Sequence, residues 1–186
     1  MKRIALAALT SCALAAPAAA DAQTWGDAPP TIITSAIVPP VRQFKAGSAV
    51  DLSFGTEGIE PGVTKTVAPE AADAATGTGA KVDIRFNTGT KITVTGTALT
   101  WTSSTGTVYT ISSSFNCAVA TDQTGTGKVN FPGTCAAGYE FPNSSITGMM
   151  TRSVLIGATV TSSETETKPA ATYTGSFTIT LSASSS

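Results

Sequence analysis

Histidine is absent from all 186 residues. That removes the commonest general base, and with it the Ser-His and Cys-His pairs that activate a nucleophile. Charge is scarce too: Asp, Glu, Lys and Arg make up 12% of the chain, against about a quarter in ordinary domains. A net charge of −1 and a pI near 5.3 leave no basic stripe, so nucleic acid is excluded as the expected partner. Aromatic residues reach only 6%, and a core will claim most of them. No stretch has helical periodicity of useful length. Without histidine, the few thiols cannot complete a zinc site. From this inventory we expect no catalytic residue, no metal and no cofactor.

What is present begins with an export signal. Met1-Lys2-Arg3 is followed by an apolar run, Ile4–Leu14, and by small residues ending Ala20-Asp21-Ala22. A short basic start, an apolar stretch too short to span a bilayer and an A-x-A site describe a signal peptide over residues 1–22, with cleavage after Ala20 as the alternative. Cys12 superficially resembles a lipoprotein cleavage box. No second apolar segment follows, so no membrane span is expected. The product is placed in the periplasm, at the cell surface or outside the cell. Residues 23–30 read as a flexible leader and residues 31–186 as one domain, long enough for a real core.

Serine and threonine interleave with Val, Ile, Phe and Leu in period two, the pattern of strands with one packed face and one wet face. The clearest case is Thr172–Leu181, where Tyr173, Gly175, Phe177, Ile179 and Leu181 share one parity and hydroxyl residues fill the other. Thr31–Val38 is a short β-prone run stopped by Pro39-Pro40. Ala49–Thr56 alternates Val50, Leu52 and Phe54, and Val63–Val67 is a further short strand. Glu70–Gly79 reads as a loose connection. Lys81–Asn87 puts Val82, Ile84 and Phe86 inward, and Thr88-Gly89 predicts a tight hairpin into Thr90–Thr95. Strands are also expected from Leu99, across Thr107–Ser112, through Phe115–Val119, around Val129–Phe131, at Tyr139–Pro142 and over Ser153–Val160. Ser162–Pro169 is a charged connection. About ten short strands with Gly or Pro between them indicate an all-β protein, an antiparallel immunoglobulin-like Greek-key β-sandwich. Cys117 and Cys135, the pair left after signal removal, read as a disulfide in an exported chain.

Three stretches carry a family resemblance: Asp51-Leu52-Ser53-Phe54-Gly55-Thr56, Ser153-Val154-Leu155-Ile156-Gly157-Ala158-Thr159-Val160, and Tyr173-Thr174-Gly175-Ser176-Phe177-Thr178-Ile179-Thr180-Leu181. Together they resemble the secreted bacterial family catalogued as domain of unknown function 4402, which is similar to spore-coat-U and chaperone–usher pilin-like proteins. The resemblance covers roughly residues 31–182. It implies an exported pilin-like domain of surface or fimbrial character. Two features depart from the pilin pattern: both cysteines lie mid-chain, and Pro169 stands where glycine often precedes the last strand.

Side chains that suggest chemistry each have a plainer reading. Asp83 and Arg85, two apart on one strand face, read as a surface ion pair. Glu57, Glu60 and Glu70 lie near a Gly/Pro loop but lack the spaced pattern of a calcium loop. Glu164 and Glu166 are solubilising charges, and Asn143-Ser144-Ser145 matches a glycosylation triplet. Met149-Met150 reads either as an exposed apolar spot or as core filler. Trp101, Tyr109 and Tyr139 are candidates for stacking against a sugar. The expected function is a non-enzymatic structural or adhesive surface protein of pilin-like type, associating with itself or with fimbrial subunits, and in a sharper form donating Thr31–Val38 as a strand. The alternative is a secreted carbohydrate-binding module with glycan partners.

Overall fold

Alternation alone makes strands, but which strands meet depends on contacts far apart in the chain. The structure, a computed structural model, describes residues 36–185. The expected signal peptide and leader, Cys12 and the Thr31–Ser35 part of the first expected strand lie outside the described residues. The chain divides into two units, Met1–Ile37 and Val38–Ser186, and the description below concerns the second.

In chain order its strands are β1 (Arg42–Phe44), β2 (Lys65–Val67), β3 (Ala72–Asp73), β4 (Gly77–Thr78), β5 (Ala80–Phe86), β6 (Thr90–Gly96) and β7 (Leu99–Thr102). Then come β8 (Val108–Ile111), β9 (Ser114–Ala120), β10 (Val129–Asn130), β11 (Tyr139–Phe141), β12 (Met150–Val160) and β13 (Phe177–Ala183). A single helical turn, α1 (Ser162–Thr165), interrupts the connection expected to be irregular. The larger sheet runs β1-β5-β12-β9-β10, with β2 also on β12; the smaller runs β11-β6-β13. Every pairing is antiparallel, and β3–β4 and β7–β8 form separate two-stranded ladders. The protein is all-β.

One core joins the two sheets. Ile84 and Phe86 of β5, Val154 and Ile156 of β12 and Val119 of β9 meet Ile92 and Val94 of β6, all nearly inaccessible to water. Each such side chain contributes about 1.5–3 kcal/mol of burial free energy. Phe177, Ile179 and Leu181 of β13 pack against the same core but stay half-exposed. β12 is apolar on both faces because both are covered. Its Leu155 forms a second small cluster with Ala118 and Ala120 on the far side of the larger sheet. Glu70 and Gly125, from two connections, lie over that side; a Cβ on Gly125 would meet both Glu70 and Leu155. The Cys117–Cys135 disulfide is present and buried. Phe131 N–H donates to the Cys117 carbonyl and Val94 N–H to the Cys135 carbonyl, so the bridge ties the larger sheet to the smaller one.

Several expectations need correction. Thr88-Gly89 does not close a hairpin: β5 and β6 lie in different sheets, and the chain arches between them. Asn143 explains the arch, since its Oδ1 accepts from Gly89 N–H and from Thr88 Oγ1, anchoring the bend to a segment far away in sequence. Ala49–Thr56 is not a strand but is held by two single bridges, Val50 to Lys81 of the larger sheet and Ser53 to Thr78 of the β3–β4 ladder. Within the expected loose connection, β3 and β4 pair around a short turn. Ala36–Val38 carries no ladder, and Val38 is 78% exposed. Met149 is exposed, whereas Met150 begins β12 and packs against the core.

Candidate functional site

The last strand sets the geometry. Thr97 N–H donates to the Ser176 carbonyl at 3.0 Å, and Thr100 and Thr174 exchange bonds of 2.8 and 3.0 Å. Thr174 and Ser176 therefore direct their backbone groups toward β6 and β7. Because backbone groups alternate sides with period two, Tyr173, Gly175, Phe177 and Ile179 direct theirs the other way. β13 ends the order of its sheet, so among the described residues no strand pairs with that outer side. The same parity carries the apolar side chains inward.

Beyond that edge lies an open cleft of about 920 Å³. Its far bank is the segment around Val50, Leu52 and Phe54, and its floor includes Val82, Phe115 and Ile156 from the larger sheet. Gly96 leaves room for Phe115, whose ring would overlap a Cβ there, and Phe115 meets Phe177 edge-on at 5.0 Å. Asp51 and Lys168 also line the cleft. So does Ser113, whose buried Oγ has no hydrogen-bond partner among the described residues. An apolar trough bordered by an unpaired backbone edge suits an extended chain segment: its backbone would complete the ladder and its alternate side chains would fill the trough.

The three aromatic candidates do not converge. Trp101 and Tyr109 stand directly opposite on β7 and β8, ring centroids 5.5 Å apart and planes 27° off parallel. Their third neighbour is Tyr173, 6.3 Å from Trp101, just ahead of β13. Desolvation raises the Tyr173 phenol above its ordinary value, and its hydroxyl donates to the Pro169 carbonyl. Tyr139 lies elsewhere, between Phe131 and Phe141. Tyr173 was legible only as an inward-facing strand residue; nothing local marked it as a partner of Trp101.

The charged candidates are turned to structural partners. Asp83 does not pair with Arg85: it accepts from buried Ser153 at 2.6 Å and faces Lys45 at 3.5 Å, while Arg85 donates twice to Gln43. Glu70 binds Lys128 at 2.7 Å, and that hydrogen bond holds its carboxyl below the ordinary range. Glu57 lies 4.0 Å from Lys65, and Glu164 accepts from Ser112 N–H. Asp122, with Thr124 and Thr126 donating to one oxygen, is lowered to about 2. No three Asp, Glu, Cys or His side chains cluster among the described residues, and no helix there is long and apolar enough to cross a membrane. The Asn143 side chain is committed to the arch.

Compared with family models, curated proteins and solved structures, the chain matches none.

Proposed function

We propose that this chain is an exported, non-enzymatic structural or adhesive surface protein of pilin-like type that assembles by accepting and donating a strand. The reading takes the two sheets as an immunoglobulin-like Greek-key sandwich and places the chain beside the family its strand motifs resemble. It works at the cell surface, in the periplasm or outside the cell, and a buried disulfide suits those oxidising compartments. One observation carries it: among the described residues no strand pairs with the outer edge of β13, which borders an apolar cleft of about 920 Å³. The occupant is Thr31–Val38 of another copy, an extended β-prone run ahead of a proline stop. Removing residues 23–38 and comparing sedimentation profiles tests this. The mature chain is expected to form oligomers that the shortened chain cannot; identical profiles end the reading.

A second reading, a carbohydrate-binding module, draws on the Trp101–Tyr109 pair. These rings spend part of their faces on each other, which leaves less surface for a sugar. A glycan array probed with the native chain and with Trp101→Ala decides it, since binding lost with the ring would favour that reading.

A further inference from the structure

Tyr173 lines the cleft just ahead of β13, and Trp101, itself stacked on Tyr109, stands 6.3 Å from Tyr173. All three rings are half-exposed. The donor run is closed by Pro39-Pro40, both fully described and both exposed. We propose that this aromatic cluster seats Pro39-Pro40 of a second copy, fixing the register and direction of the donated strand; the inference rests on the strand-donation reading.

Length supports the match. At roughly 3.3 Å per residue, Thr31–Val38 covers about the span from Tyr173 to Leu181. A donated strand antiparallel to β13, the more stable pairing, brings its C-terminal end beside Tyr173. The ladder must stop there, because proline has no N–H to give. Diprolines hold a preformed extended conformation and dock on aromatic surfaces at little entropic cost. The Pro39 carbonyl accepts from Asn87 Nδ2 at 3.0 Å, so the diproline is anchored to the start of its own body. Seating it would press the donor's body against the acceptor's β7–β8 hairpin. The other diproline, Pro29-Pro30, would occupy this place only if the strand ran parallel to β13.

The test uses a fluorescently labelled synthetic peptide of residues 27–42, titrated with the mature chain by anisotropy. Replacing Pro39 and Pro40 in the peptide by alanine is expected to weaken binding about five- to tenfold, the size of one aromatic contact. Replacing Pro29 and Pro30 leaves it unchanged. On chains carrying Trp101→Ala or, to keep the hairpin packed, Trp101→Leu, the native and Pro39/Pro40-substituted peptides bind alike; melting temperatures establish that both variants fold. Equal binding of those two peptides by the native chain overturns the proposal. So does an undiminished difference on the Trp101 variants, or a loss confined to Pro29 and Pro30. No binding of the native peptide refutes strand donation itself.

Discussion

Replacing Cys117 and Cys135 together by alanine removes the bond that links the two sheets. The cysteines are 18 residues apart; releasing a loop of that size from the unfolded ensemble costs about 3 kcal/mol in the chain-entropy model. Both side chains are 5% exposed, so the variant also loses packing around Phe131 and Val119, which adds to the cost. For a chain of this length, about 2–4 °C of melting temperature follows each kcal/mol. The expected drop is therefore roughly 6–12 °C, read by near-ultraviolet circular dichroism or calorimetry. Native protein in a strong reductant should fall to a similar temperature, whereas the variant should not respond to reductant at all. A variant melting within about 2 °C of the native chain would refute the argument: losing the bridge would then free the unfolded ensemble very little.

Three further outcomes follow from named contacts. Gly157→Ala would drive a Cβ into the Val67 carbonyl and the Pro69 nitrogen, both backbone; a loss of about 1–3 kcal/mol in urea unfolding is expected from such overpacking, and an unchanged midpoint counts against the close approach of β2 to β12. Asn143→Ala removes the acceptor for Gly89 N–H, an orphaned group costing about 1–3 kcal/mol; Asn143→Asp, which keeps an acceptor oxygen there, should recover most of it. Asp122 is held at about 2 against an ordinary 3.8, a depressed value, so its contribution is complete above the ordinary value and fades as pH falls toward 2. Acid titration of the native chain should show extra loss of stability in that window, and Asp122→Asn should flatten it.

Much of the fold is written in local alternation. The apolar parities of Lys81–Asn87, Thr90–Thr95, Ser153–Val160 and Thr172–Leu181 all face the core, because period two and burial are one constraint. Pairing is not local. Thr88-Gly89 carries the same turn chemistry whether the chain folds back in one sheet or arches into another, and Asn143 decides between them. The alternation of Val50, Leu52 and Phe54 belongs to the bank of a cleft, where one bridge reaches the larger sheet and one the β3–β4 ladder. β13 was readable as a strand but not as one whose outer edge has no pairing strand among the described residues, since the absence of a neighbour has no sequence signature. Trp101 and Tyr109 were singled out by residue type; that they oppose each other and turn toward Tyr173 follows from strand register.

The position of β12 has a consequence for how the molecule is made. It is the middle strand of the larger sheet, bonded to β5, β9 and β2, yet every other strand of that sheet precedes it in the chain. β13, the partner of β6 along its whole length, comes later still. The larger sheet cannot close before the chain reaches Val160, nor the smaller one before it reaches Ala183, so apolar strands made earlier wait for distant partners. Closure of both layers therefore waits on long-range pairing, the slow and aggregation-exposed kind.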